Sequence, residues 1–193
     1  DPMGRAFLTS SHGQGAFLLG DWRAARNAIE HAVAIVRDMG TSWVAAYPFA
    51  DLGLLELAEG NDDAAVAALG EALALAERDH DRQALRCVHS VIAERDLVTG
   101  VATDAMQRLE PLIDRSVASE TESIALAPLL AWAYLNLGRL DRADELLKQC
   151  TRQAEAIGAR LVLHDVLLVR ARLHLTRNEW RQAEQILLEA LSL

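Results

Sequence analysis

Apolar and polar positions follow two periods in this chain. Within short segments, apolar residues return every three or four positions, the spacing that places them on one face of a helix. Along the whole chain the same columns return at a much longer interval. With Gly20, Gly60, Gly100, Gly138 and Asn178 as anchors, the gaps are 40, 40, 38 and 40 residues. Five residues after each anchor stands Ala25, Ala65, Ala105, Ala143 or Ala183, and nine after stands Ile29, Leu69, Leu109, Leu147 or Leu187. Twelve after stands Ala32, Ala72, Leu112, Cys150 or Ala190. Phe17, Leu57, Leu97, Leu135 or Leu175 lies three before. Self-similarity at such a period marks a stack of supersecondary units, none of which can bury its apolar face alone.

Each anchor separates two helical segments. The pattern predicts helices near 3–19, 22–39, 42–58, 62–79, 81–98, 102–117, 120–137, 141–157, 160–176 and 180–192, which make five pairs. The anchor glycine accepts a left-handed backbone at a helix end at little cost, and Asn178 is the next best residue for it. Asp62 and Asp141 stand where helix N-caps are expected, with Asp63 in the first turn. Seven residues before the anchors the chain is small again, at Gly13, Gly53, Ala93, Ala131 and Ala171. This column and the alanines five after the anchors are expected to face each other, so that the paired axes approach to roughly 8–10 Å. Gly4, Gly13 and Gly15 weaken the first helix.

Composition supports an all-helical globular chain, with 51% hydrophobic and 24% charged residues and only four prolines. The net charge of −9 disfavours direct nucleic-acid binding, which needs a basic stripe. Arg170, Arg172, Arg177 and Arg181 make the C-terminal part locally basic, read as a solvated helix face. Cys87 and Cys150 fall at non-equivalent places in different repeats, the pattern of reduced thiols in a cytoplasmic protein. No apolar run reaches the roughly 18 residues of a membrane span. The chain opens at Asp1 and Pro2 without an initiator Met and closes at Leu193 on an amphipathic helix. A single repeat domain over 1–193, excised from a larger protein, is therefore expected, with repeats at 1–40, 41–80, 81–118, 119–158 and 159–193.

The columns resemble the tetratricopeptide repeat. That family has a small residue in its first helix, Gly or Asn at the turn, Ala five residues later, a large apolar residue four after that and Ala three further on. Leu57 to Ala65 matches well, and Trp22 and Trp180 match the family's aromatic position. Asp62 and Ala102 depart from that position, and the inter-repeat Pro is missing. The resemblance implies a right-handed superhelical stack of about five antiparallel helix pairs, a TPR-like α-solenoid. The 38–40-residue period exceeds the family's usual 34. In that respect the chain is similar to the helical region of bacterial LuxR-class, MalT-like transcription regulators. Their phosphate-binding loop is not in this sequence.

Little in the sequence carries catalysis. Cys87 and His89 lack a second ligand pair at zinc spacing, and residues two apart on a helix diverge. His164 and His174 are more than two turns apart. No nucleophile elbow, zinc-protease motif or dinucleotide fingerprint occurs, and Gly13-Gln14-Gly15 is too short to be one. The pairs Glu120/Glu122 and Asp62/Asp63 sit at helix starts, where capping accounts for them. No enzyme activity, metal or cofactor is expected.

Function is then a matter of surface. Tetratricopeptide geometry places the rows 13, 6 and 2 residues before each anchor on the concave side. The first holds Phe7, Tyr47, Cys87, Ala125 and Asp165; the second Gln14, Leu54, Glu94, Trp132 and Arg172; the third Leu18, Ala58, Val98, Asn136 and Thr176. Candidate contacts are Tyr47, Leu54, Glu94, Trp132, Asn136 and Arg172. The family's carboxylate clamp is not recoverable, because Lys148 is the sole lysine. The expected function is a non-enzymatic scaffold binding a protein, a peptide or a small effector, as the sensing region of a bacterial transcription regulator. The alternatives are a structural spacer or self-association module, dimerising through the C-terminal helix at Ile186, Leu187 and Leu191, and a small-molecule sensor. Replacing Ala65 or Ala143 with Leu is expected to overpack the seam and cost about 1–3 kcal/mol, measured by urea denaturation.

Overall fold

The computed structural model describes residues 1–39, 44–113 and 124–193. Ten α-helices run through these residues in chain order: α1 (Pro2–Leu18), α2 (Trp22–Met39), α3 (Ala46–Ala58), α4 (Asp62–Arg78), α5 (Arg82–Val98), α6 (Ala102–Leu109), α7 (Ala127–Asn136), α8 (Leu140–Ile157), α9 (Arg160–Thr176) and α10 (Trp180–Ser192). No strand forms among the described residues. Helices pack as sequential pairs, α1 on α2, α3 on α4, α7 on α8 and α9 on α10. Links between pairs run from α2 to α3, from α6 to α7 and from α8 to α9. The fold class is all-α, as expected.

All five anchors adopt the left-handed backbone, with φ of +79, +81, +86 and +72° at the four glycines and +61° at Asn178. His80 and Gly158 do the same between pairs. At each of these turns the residue after the left-handed one donates its N–H five residues back. Asp21 reaches Ala16 at 3.0 Å, Asn61 Glu56 at 2.8, Val101 Asp96 at 2.6, Arg139 Tyr134 at 2.8 and Glu179 His174 at 2.9. This is the Schellman closure, which satisfies carbonyls the helix end would leave open. The same residue then serves as N-cap of the next helix. Hence Asn61 and Arg139, not Asp62 and Asp141, occupy the N-caps of α4 and α8, and neither caps through its side chain. Asp62, Asp63 and Asp141 lie in first turns, where the helix dipole still favours them. Asp21 and Asp81 do cap, accepting from the backbone of Ala24 at 3.0 Å and Gln83 at 2.9 Å.

Three prolines account for the differences from the expected boundaries. Pro48 has no N–H to bond Val44, so α3 starts at Ala46 with the proline in its first turn. Pro128 likewise sits at the start of α7. Pro111 ends α6 at Leu109 and leaves a 3₁₀ turn, Glu110–Leu112. The expected helix residues 42–43, 114–117 and 120–123, with the pair Glu120/Glu122, lie outside the described residues. α1 is better secured than its glycines imply. Asp1 caps it by accepting from the Met3 N–H at 3.0 Å, and Pro2 occupies the first turn.

Contacts divide the chain into two compact units, Asp1–Ile92 and Ala93–Leu193. The first unit is cored by Val33, Val36, Phe49, Ala50, Ala72 and Val88, with Ala25, Ile29 and Leu55 beside them. Arg26 on α2 clasps the end of α3, bonding Glu56 and Glu59 at 2.7 Å each. That clasp holds the Glu56 carboxyl below its ordinary range. The second unit is cored by Leu97, Leu109, Leu130, Ala131, Leu147, Val166 and Leu173. There Arg108 bonds Asp96 at 3.4 Å, tying α6 to α5.

The alanines five after the anchors are completely buried or nearly so in every repeat. The small column before the anchors meets a larger partner than expected. A Cβ on Gly53 would stand 2.6 Å from Cγ and Cδ2 of Leu69, and one on Gly13 would stand 2.7 Å from Ile29 Cγ1. In these two repeats the seam is thus a hole in the first helix filled by the aliphatic nine after the anchor. By contrast, nothing lies within 4 Å of a Cβ on Gly70. Gly70→Ala is expected to stabilise by about 0.5–1 kcal/mol through helix propensity. Gly53→Ala should lose that gain to overpacking and destabilise by about 1 kcal/mol. Urea midpoints check both, and equal stabilisation by the two would contradict the close approach at Gly53.

Candidate functional site

In the second unit, one row of first-helix residues comes together. Glu94 on α5, Trp132 on α7 and Arg172 on α9 occupy the same repeat position on successive first helices. The half-buried indole of Trp132 packs against the core with its flank. The Arg172 guanidinium lies over its ring, 3.9 Å from the centroid. Such stacking contributes about 0.5–2 kcal/mol and leaves the guanidinium edge free to donate.

Asp165, from the row 13 before the anchor, stands near this group. Burial pushes the Glu94 carboxyl above its ordinary range; Asp165 pushes the same way and Arg172 opposes. Burial also raises Asp165, against the pull of His164, whose Nδ1 lies 3.5 Å from its Oδ1. Arg172 is lowered by burial, and Glu94 opposes that shift. Asp165 and Arg172 are nonetheless open to solvent. Asn136 is exposed at the last residue of α7.

The remaining candidates, Tyr47 and Leu54, belong to the first unit. Tyr47 is half-buried, packed edge-on against Phe7 at 6.4 Å between centroids, and its hydroxyl donates to Asp81 Oδ2 at 3.3 Å. Tyr47 therefore joins neighbouring first-helix and turn residues. Leu54 is half-buried on α3.

A polar cluster that the repeat columns did not single out lies close by. Buried Ser10 of α1 donates its hydroxyl to Asp51 Oδ2 of α3 at 2.5 Å. Burial raises the Asp51 carboxyl to about 6, against the pull of that hydrogen bond. The Cys87 thiol is pushed up to about 12 by burial, with Asp51 adding to it. One signal could have found Asp51: nine residues before the other anchors stand Ser11, Val91, Leu129 and Val169, so a carboxylate breaks a mostly apolar column.

Burial also raises the Cys150 thiol to about 12, so both free cysteines stay protonated and weakly nucleophilic near neutral pH. Among the described residues no group of three His, Cys, Asp or Glu is placed to hold a metal ion. None of their helices is long and apolar enough to cross a membrane.

A tetratricopeptide-repeat family profile matches residues 129–156, most of α7 and of α8. A profile for anaphase-promoting complex subunit 5 matches residues 6–47 and 44–95. Among solved structures, the chain resembles one from Podosopora anserina, described as containing "nearly identical TPR-like repeats". A singly substituted form of that protein is 19% identical, with a TM-score of 0.64, covering 100% of this chain and 95% of that one. The fold is a TPR-like helical repeat. The same protein without the substitution gives 18% identity and a TM-score of 0.63 over the same coverage. No curated protein matches the sequence. TPR-like repeats generally serve as protein-interaction scaffolds.

Asp51 gives this TPR-like fold a measurable pH signature. Its carboxyl rises from the ordinary 3.8 to about 6, so the folded chain holds that proton more tightly than the unfolded chain. Stability from this group is greatest below about pH 4 and falls as pH rises to about 6. Asp51→Asn keeps an acceptor for Ser10 and should remove this fall. It should stabilise the chain at pH 7 by up to about 3 kcal/mol. Urea denaturation of both proteins between pH 4 and 7 checks this; a constant difference across that range would contradict it.

Proposed function

We propose that this chain is a non-enzymatic scaffold that binds a protein partner, or a small effector, on its first-helix rows. In this reading it is the sensing repeat region of a cytoplasmic bacterial transcription regulator of the LuxR-class, MalT-like type. The observation that carries the binding reading is the convergence of Glu94, Trp132 and Arg172, with an aromatic face, a cation and a carboxylate on one partly desolvated wall. Stacking does not require these side chains, since the same position holds Gln14 and Leu54 in the other repeats. Support for the regulator reading is the 38–40-residue period with its alanine columns. A ligand bridging successive first helices would bias their relative packing, because each repeat is held only by its neighbours.

The test is made in the full-length protein, with Tyr47, Glu94, Trp132, Asn136 and Arg172 replaced together by Ala. Partner or effector affinity is expected to fall at least about tenfold with helicity retained, since central aromatic and Arg contacts dominate such surfaces. Unchanged binding would overturn the reading.

A second reading, self-association through α10, is favoured by one observation. Leu187 is 40% exposed and Leu191 84%, whereas Ile29, Leu69, Leu109 and Leu147, the equivalents of Leu187, are buried. A second copy of α10 would cover this face. Sedimentation should then show a dimer that Leu187→Glu with Leu191→Glu dissociates, and a monomer at high concentration would contradict it.

A further inference from the structure

The first and last helices expose the columns that the junctions between helix pairs bury. Twelve residues before the anchors of the four later repeats stand Pro48, Val88, Leu126 and Val166, all buried. That column faces the preceding second helix: Val88 shares a core with Ala72 of α4, and Val166 with Cys150 and Ala154 of α8. On α1 the same position is Leu8, which is 69% exposed. The second helices carry the other half. Val33 of α2, thirteen after its anchor, is buried in one core with Phe49 and Ala50 of α3. Its equivalent on α10 is the open Leu191, beside the open Leu187. The chain therefore holds both halves of one further junction, a first-helix face on α1 and a second-helix face on α10. We propose that these halves meet between copies, α10 of one copy receiving α1 of a second copy, so that the chain associates head to tail.

The occupant follows from the junctions already present. α2 to α3, α6 to α7 and α8 to α9 each join a second helix to the next first helix, and α1 is the first helix with that face uncovered. α1 also offers a seat: its outer side is recessed around Leu8, between Arg5, Thr9 and His12, where Gly4 adds no side chain. On α10 the exposed Leu188 widens the apolar face. Its column holds Glu30, Gly70, Glu110 and Lys148 in the other repeats, and a large apolar residue only here. Such a junction uses a different surface on each copy, so every assembly that does not close keeps one free half at each end. The inference rests on the same open α10 face as the self-association reading and changes what covers it.

The test is sedimentation of the 193-residue chain and of two variants, separately and mixed. Leu8→Glu puts a charge on the α1 half, and Leu187→Glu with Leu191→Glu puts charges on the α10 half. All three leucines are exposed, so both variants should keep their helicity, checked by circular dichroism. The parent chain should self-associate, and each variant alone should do so at least about tenfold more weakly. Mixed, the two variants should associate again and stop at a dimer, because one keeps its α10 half and the other its α1 half. Association lost in the α10 variant but untouched by Leu8→Glu would overturn the α1 contact and leave pairing of two α10 helices standing. Variants that both lose association and do not regain it on mixing would overturn the head-to-tail contact. A parent chain that stays monomeric at high concentration would overturn both modes of association.

Discussion

The structure depends on one backbone device, the left-handed residue that ends a helix and lets the next N–H bond five residues back. It recurs at Gly20, Gly60, Gly100, Gly138 and Asn178. The closure fixes where the first helix stops and makes the following residue the start of the second. The chain thereby reverses over two residues, and the helices leave the turn in a set register. Alanine five residues on is then buried in every copy, with its N–H bonded to the carbonyl of the new N-cap.

Register in turn decides which side chains meet. In the first two repeats the hole seven residues before the anchor receives the aliphatic nine after it, Gly13 facing Ile29 and Gly53 facing Leu69. A repeat built this way commits its small and aliphatic columns to the seam and to the next pair. What remains on the first helices is not required by packing. There the repeats differ: Gln14, Leu54, Glu94, Trp132 and Arg172 share a position without sharing chemistry. Repeated turns with a varied row beside them are what a scaffold needs, since affinity can change along the row without disturbing the stack.

Much of this was legible in the sequence because turn and seam rest on local rules. A glycine or asparagine at a helix end, and a small residue opposite a large one, are visible as columns. The start of α3, the end of α6 and the start of α7 are less so, because the apolar period runs on through Pro48, Pro111 and Pro128, none of which can supply a helical N–H. Asp62 and Asp141 are not the caps, because the Schellman residue takes that place first. At the candidate site the row itself could be read, but not the stacking of Arg172 on Trp132, which depends on side-chain conformers across helices. The Ser10–Asp51 bond was equally hidden, since it joins two first helices at positions the columns treat as packing.

The central claim, that a left-handed residue at each anchor sets the fold, is tested most directly by backbone chirality at position 60. Semisynthesis can place D-alanine there, which prefers the positive φ observed, +81° at Gly60. D-Alanine should raise stability over glycine by about 0.5–1 kcal/mol by restricting the unfolded chain, while L-alanine should lower it by about 1 kcal/mol. Denaturation midpoints in which L-alanine matches or exceeds D-alanine would contradict the account.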